Sequence, residues 1–205
     1  MPMGPTTDER LKSYLDTNQQ SQERMCLAVL ATDKRYSEIR PRHPQGGPDG
    51  GRDIDAKFQF EHAVFGAVGF VNSASDSASN KTSTRRKFKT DLQKVAAATP
   101  KPKVFTFFTN VRLTINERDE LRALAIGAGL MDCDIYDRER IRLALDMPDG
   151  LAARFQYLQI PMSEAEQASF FARWGDDIQS VISTGFGRLE TKLSQALSMG
   201  RCNTI

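Results

Sequence analysis

Two acidic residues and a lysine alternate along one short segment of the chain, at Asp53, Asp55 and Lys57. The residues between them are apolar, and side chains alternate between the two faces of a strand. The segment 53–60 therefore predicts a half-buried strand with the charged side chains on one face. Carboxylates can hold Mg²⁺, and a lysine can stabilise the charge that develops on a phosphate. A solvated strand face explains the same alternation, so both interpretations stay open.

A second group of charged residues forms a basic stripe between Lys81 and Lys103, where eight Lys or Arg residues accompany one acid, Asp91. Within it, apolar residues recur at helical spacing from Arg85 to Ala98, which predicts an amphipathic helix with its charges outside. Such a face could contact a nucleic-acid backbone, or it could merely keep the helix soluble. The candidate phosphate-binding residues are Lys81, Arg85, Arg86, Lys87 and Lys89.

The helices and strands that position these residues can be predicted from the spacing of apolar residues and from the positions of Gly and Pro. Segment 6–30 predicts one long or two short helices, and the Pro- and Gly-rich segment 40–53 predicts a shaped loop. Segment 63–71 is apolar on both faces, which is typical of a strand inside a covered sheet, and it forms a hairpin with 53–60. The polar segment 72–80 predicts a surface loop without a core residue.

The second half of the sheet is predicted as parallel. Val104–Thr109 is a β-branched and aromatic strand, and a capping box at Thr114 and Glu117 begins a helix that ends near Gly129. The segment 131–137 predicts another strand, followed by a short helix. A strand–helix–strand unit of this length makes a right-handed parallel crossover. The sequence therefore predicts an α/β fold with a mixed central sheet flanked by helices.

This order of elements, with the turn Asp49-Gly50-Gly51-Arg52-Asp53 leading into the first strand of the hairpin, resembles the restriction-endonuclease-like PD-(D/E)xK superfamily, most closely its Mrr-like branch. The resemblance covers roughly Ser21 to Leu145. It implies a nuclease-like domain of prokaryotic defence or restriction type, with DNA as the favoured partner. It also implies that Asp53 holds a divalent cation such as Mg²⁺.

The resemblance further implies that a Glu or Gln and a Lys on the partner strand complete the site. These positions fall around Val68 to Phe70, and no Glu, Gln, Asp or Lys occurs between His62 and Asp76. The second half of the motif is therefore degenerate. A migrated site would use Asp53 and Asp55 as metal ligands and Lys57 beside the scissile phosphate, and Glu23 on the preceding helix could add a carboxylate. A surface position on an amphipathic helix also explains Glu23.

After Pro161 the pattern becomes helical, beginning with a capping box at Ser163 and Glu166, and it stays helical except near Gly175, Gly185 and Gly187. Apolar residues from Ile182 to Ala196 repeat with 4-3-4-3 spacing, which suits a coiled-coil seam. A helix packed on its own domain is the alternative. We therefore predict an endonuclease-like domain over 1–160 and a helical appendage over 161–205, with self-association through the appendage as a hypothesis.

Amino-acid composition limits the classes of protein to which the chain can belong. The chain has 205 residues, 28 Lys and Arg against 26 Asp and Glu, and three well-separated cysteines, which disfavours a disulfide framework or a cysteine-rich zinc site. No apolar run approaches the ~18 residues of a membrane span, so a cytoplasmic protein without a membrane partner is expected.

Two functions are compatible with these patterns. The first is a nuclease-like, nucleic-acid-binding domain in which metal-dependent phosphodiester hydrolysis is weak or lost. The second is a non-catalytic scaffold, oligomerisation or sensor module that retains the endonuclease-like fold.

Overall fold

The computed structural model describes residues 5–13, 19–41 and 53–200. It contains the helices α1 (Thr7–Lys12), α2 (Gln19–Ala31), α3 (Ala78–Ala96), α4 (Ile115–Gly127), α5 (Arg138–Asp146), α6 (Leu151–Leu158) and α7 (Glu164–Gly200). Its strands are β1 (Tyr36–Pro41), β2 (Ile54–Phe58), β3 (His62–Val68), β4 (Val104–Phe108) and β5 (Asp132–Tyr136). The glycine-rich turn that leads to Asp53 lies outside the described residues.

The five strands form one mixed sheet in the order β1-β2-β3-β4-β5. The pairs β1–β2 and β2–β3 are antiparallel, whereas β3–β4 and β4–β5 are parallel. The predicted α/β class, the β2–β3 hairpin and the parallel pairing of β4 with β5 are therefore confirmed. Strand β1 was not predicted: the segment assigned to the shaped loop begins inside it, at Arg40 and Pro41.

Helices cover both faces of the sheet. One face packs Ile54, Val64 and Phe108 against α1, α2, α5 and α6. The opposite face packs Phe65, Phe105 and Phe107 against α3 and α4. Strand β4 is fully buried, as its continuous β-branched and aromatic sequence leads one to expect.

The helix starts agree with their predicted caps. The Thr114 hydroxyl accepts a hydrogen bond from the Glu117 N–H, and the Glu117 carboxylate accepts one from the Thr114 N–H. The reciprocal bonds between Ser163 and Glu166 are also present. Each pair satisfies two backbone donors that the first turn of a helix leaves without partners.

The segment before α3 differs from its prediction. Ala74 is buried and belongs to the core, and Asp76 accepts hydrogen bonds from the buried guanidinium of Arg138. The prediction of a loop without a core residue was therefore wrong. Alanine is small enough to be buried in a polar sequence without producing a recognisable apolar pattern.

The described chain divides into two compact units, Met1–Pro161 and Met162–Ile205. In the second unit, α7 is a single helix of 37 residues that continues through Gly175, Gly185 and Gly187, so the expected interruptions there were wrong. Each glycine costs only about 1 kcal/mol relative to alanine, which the flanking helix-forming residues can offset. Among residues 5–13, 19–41 and 53–200, no helix has both the length and the apolar character needed to span a membrane.

Candidate functional site

The carboxyl ends of the parallel strands meet at one edge of the sheet, and a cleft of about 300 Å³ opens where β3 ends. In open α/β sheets, ligands bind in the crevice outside the carboxyl ends of the strands. The cleft is lined by Gln22, Glu23, Val68, Gly69, Phe70, Val71, Ser83, Thr84 and Lys87. Helices α2 and α3 thus contribute polar side chains to the cleft, and the end of β3 contributes backbone and apolar residues.

Asp53 is hydrogen-bonded to Val68, one of the residues that line this cleft. Its N–H donates to the Gly66 carbonyl over 2.8 Å, and its Oδ2 accepts a hydrogen bond from the Val68 N–H over 2.6 Å. The residue is only 7% exposed. Its side chain therefore points across the end of β3 rather than into solvent, and it meets the position where the resemblance places the second half of the motif. That position offers a backbone donor in place of a side-chain ligand.

Glu23 approaches the same region from α2. Burial raises the pKa of the Cys26 thiol well above its ordinary value, and the negative charges of Asp53 and Glu23 raise it further. Both carboxylates consequently lie close enough to Cys26 to act on it electrostatically. Of the predicted metal ligands, the structure brings Asp53 and Glu23 to one region.

The opposite wall of the cleft is made by α3. A Cβ atom added at Gly69 would lie 3.0 Å from Cγ of Lys87 and 2.6 Å from the Phe107 ring, so only glycine allows α3 to approach this closely. The Lys87 ammonium lies 3.0 Å from Oδ2 of the buried Asp91, one turn later on α3. The Thr84 hydroxyl is buried in the same wall and has no hydrogen-bond partner among the described residues.

Asp55 and Lys57 lie elsewhere. Asp55 is opposite Arg40 and Phe65 in the sheet register, and Lys57 is opposite Ala63 near the start of β3. The Lys57 ammonium lies 2.7 Å from a Glu38 carboxylate oxygen. Ala63 is five residues before Val68, which at the rise of a strand corresponds to about 16 Å. The structure thus does not bring Lys57 to the carboxylate of Asp53.

These positions bear on the cation that the resemblance implies. Within the described ranges, no group of three or more His, Cys, Asp or Glu side chains is arranged to hold a metal ion. Asp55 faces a separate cavity of about 400 Å³ that also contains Glu38 and Lys57. The described residues therefore do not fit the predicted site of Asp53, Asp55 and Glu23, and we derive no metal-dependent step from them.

The basic stripe divides into two sides on α3. Lys81 lies 2.9 Å from a carboxylate oxygen of Glu117, and Arg85 pairs with Glu120. Both partners belong to α4. Arg86 and Lys89 are exposed and form no ion pair with any residue for which the structure gives a position. Two residues of the stripe, Lys81 and Arg85, therefore join α3 to α4. Two others, Arg86 and Lys89, face solvent.

One functional feature of this edge gave no signal in the sequence. Arg138 is nearly fully buried, and its guanidinium donates to Asp8 over 2.7 Å and to Asp76 over 2.6 Å. Asn110 adds bonds to the backbone of Val71. These contacts fix the segment between β3 and α3 beside the cleft. Because the partners are far apart in the chain, local spacing could not reveal them.

Comparisons with known proteins leave the family undecided. No family model matches the chain, and neither the curated proteins nor the solved structures include one that matches it.

Proposed function

We propose that this chain is a nuclease-like, nucleic-acid-binding domain of the restriction or defence type, in which metal-dependent hydrolysis is weak or lost. The observation that carries the proposal is the cleft at the end of β3. Val68 lines this cleft and donates its N–H to the buried Asp53 carboxylate, and Lys87 of the basic helix forms the opposite wall. A degenerate acidic site thus lies next to a cleft with a cationic wall.

Phosphate binding is supported by the charges that α4 leaves unneutralised. Arg86 and Lys89 are exposed on α3, and Lys87 lies between them in sequence and reaches the cleft. Lysine and arginine side chains that neutralise phosphates release counterions, so the resulting affinity falls steeply with salt. Such contacts position a nucleic acid without reading its sequence. A backbone that follows the outer face of α3 would arrive at the cleft.

The binding test is charge reversal on this face. We expect the double variant Arg86→Glu, Lys89→Glu to weaken binding to DNA by about 10-fold or more at moderate salt and to reduce the slope of log K against log salt by about 2. The measurement is a fluorescence-anisotropy titration of labelled duplex and single-stranded DNA, and of RNA, at several salt concentrations.

The matched control reverses two exposed lysines at the opposite edge of the sheet, Lys34→Glu with Lys103→Glu, which changes the net charge equally. Equal losses in both double variants would indicate only a general charge effect. Binding that is absent, or that does not depend on salt, would contradict nucleic-acid binding through α3.

Hydrolysis is tested separately with a supercoiled plasmid in Mg²⁺ or Mn²⁺. We expect little or no nicking by the natural chain and no difference from Asp53→Ala, because the described residues do not fit a metal site. Rapid nicking that Asp53→Ala abolishes would show an active enzyme and would contradict weak or lost hydrolysis.

A second candidate function is a non-catalytic interaction module. It is favoured by large apolar side chains on α7 that are exposed to solvent: Phe171, Trp174, Ile178, Val181, Ile182 and Phe186. Continuous exposed apolar surface on a soluble protein marks an interaction site. Light scattering of the full chain over a range of concentrations tests self-association, and a monomer at every concentration would contradict association of the chain with itself.

A further inference from the structure

The exposed apolar side chains of α7 form one continuous face of the helix. Val181 is 73% exposed, Phe186 is 65% exposed and Trp174 is 58% exposed, so the face presents large side chains to solvent. The helix runs without interruption to Gly200. By helical spacing, the positions of Leu189, Leu193 and Ala196 continue the same face. The result is an apolar seam from position 171 to position 196.

The seam is symmetric about the midpoint between Ser183 and Thr184. Each seam position before the midpoint has a counterpart at the same distance after it. The corresponding pairs are Phe171 with Ala196, Trp174 with Leu193, Ile178 with Leu189, Val181 with Phe186, and Ile182 with Gly185. An antiparallel pair of identical helices requires this relation, because its two-fold axis exchanges positions before and after the centre.

We propose that α7 pairs with α7 of a second copy of this chain in an antiparallel coiled coil, centred between Ser183 and Thr184. The proposal rests on the interaction-module function given above and adds the partner, the orientation and the register. In this register, Phe171 lies level with the small Ala196 of the partner subunit, and Ile182 lies level with the partner's Gly185. Two of the five pairs thus place a large residue level with a small one, which helps the two helices approach closely.

Charge supports the antiparallel orientation. Positions 177, 188 and 192 follow one side of the helix, because spacings of 11 and 4 residues return to nearly the same direction. In the proposed register, Asp177 lies within two residues of the level of Arg188 of the partner subunit, whereas Glu190 of the partner subunit is level with Asp177 but belongs to the other flank by helical spacing. A parallel pair in register would instead bring Asp177 level with the partner's Asp177. The antiparallel arrangement thus brings Asp177 near an opposite charge on this flank.

The size of the seam is sufficient for a dimer. Stable protein interfaces bury about 1,200–2,000 Å² in total, and a buried aromatic side chain removes about 150–250 Å². Each copy contributes three exposed aromatic residues, Phe171, Trp174 and Phe186, as well as three exposed β-branched residues. Two copies thus reach about the lower end of that range.

The first test is cysteine cross-linking on the full chain, in a background carrying Cys202→Ser. Positions 178 and 189 face each other in the proposed register, and they are separated by about 16 Å along the helix. Mild oxidation of a mixture of Ile178→Cys and Leu189→Cys chains is expected to yield a disulfide-linked dimer. Each variant oxidised alone is expected to remain unlinked.

The second test leaves the seam unchanged. Ser169 is exposed, so a spin label on Ser169→Cys should not disturb packing. In the antiparallel register, position 169 lies level with position 198 of the second copy, which places the two labels about 43 Å apart along the axis. Electron–electron dipolar spectroscopy is expected to report a distance near this value, whereas a parallel pair gives less than about 20 Å.

The outcomes separate this inference from the function it rests on. A monomeric mass in light scattering overturns both. A dimer whose single-cysteine variants cross-link alone, or whose labels lie close together, keeps the interaction module and overturns the antiparallel register. Nucleic-acid binding through α3 is measured independently of either result.

Discussion

Asp53 is a buried carboxylate that accepts a hydrogen bond from the backbone of the next strand. Its Oδ2 accepts the Val68 N–H over 2.6 Å, which satisfies a backbone donor at the end of β3. A buried donor left without a partner is costly. The alternating pattern predicted a strand from Asp53, and β2 begins at the next residue, Ile54; the choice of Val68 as the partner of Asp53 follows from the pairing of β2 with β3.

We expect Asp53→Ala to lower the free energy of unfolding by about 1–3 kcal/mol, because the Val68 N–H would lose its acceptor in a buried position. Asp53→Asn keeps a side-chain oxygen at the same place and should recover much of that loss. Urea denaturation with an unchanged m-value measures the difference. Equal stability of Asp53→Ala and the natural chain would show that the hydrogen bond contributes nothing net.

At the scale of elements, α3 and α4 explain why a basic stripe is not by itself a binding surface. Glu117 and Glu120 of α4 pair with Lys81 and Arg85, so part of the stripe holds two helices together. The amphipathic pattern of α3 could be predicted because it depends on residues three and four apart. Which of its charges are neutralised could not, because the acids lie 35 residues or more along the chain.

The sequence patterns of strand β1 and helix α6 are weak. Strand β1 pairs with only one neighbour, and only Tyr36 of its residues is buried, so it lacks the alternation of a half-buried strand. Helix α6 follows a short 3₁₀ turn over Pro148–Gly150, which interrupts the helical periodicity that begins in α5.

The turn between α5 and α6 provides an element-scale prediction. A Cβ atom added at Gly150 would lie 2.0 Å from the Ala144 carbonyl oxygen and 2.6 Å from Cα of Leu145. Gly150→Ala must therefore displace the turn from α5, and overpacking of this kind costs about 1–3 kcal/mol.

The control is Gly127→Ala near the end of α4, where an added Cβ meets nothing within 4 Å. This change should raise the free energy of unfolding by about 0.5–1 kcal/mol, because alanine restricts the unfolded chain and favours the helix. Thermal unfolding of both variants gives the comparison, and a Gly150→Ala protein as stable as Gly127→Ala would contradict the close approach.

At the scale of the Met1–Pro161 unit, side chains connect the two outer strands of the sheet. Tyr36 of β1 donates a hydrogen bond to Asp134 of β5, and Arg140 of α5 lies 3.0 Å from the other oxygen of that carboxylate. Burial opposes the charge of Asp134, but Arg140 and the Tyr36 hydroxyl lower its pKa below the ordinary value. Asp33 joins the same cluster through Arg35 and Tyr136.

This cluster predicts how stability depends on pH. Burial would raise the pKa of Asp33, but the Arg35 side chain and backbone and the Tyr136 hydroxyl lower it to about 2. The folded state therefore holds the carboxylate charged at pH values where the unfolded chain, with an ordinary pKa near 3.8, binds a proton. The stabilisation is complete above about pH 4 and is lost as the pH falls through about 2.

The measurement compares the natural chain with Asp33→Asn by urea denaturation between pH 6 and pH 2. The natural chain should be more stable at pH 6, and the difference should shrink below about pH 4. A difference that stays constant down to pH 2 would show that the contribution of Asp33 does not come from its charge.

Local sequence patterns predicted the α/β class, the β2–β3 hairpin, the parallel unit of β4, α4 and β5, and the capped starts of α4 and α7. These features depend on residues within about four positions of one another, where periodicity and capping chemistry act directly. Only the tertiary structure shows where the Asp53 side chain points, which residues of the basic stripe are neutralised, and which residues bind Arg138 and Asp134. Those contacts join residues far apart in the chain, and the way the layers pack fixes them.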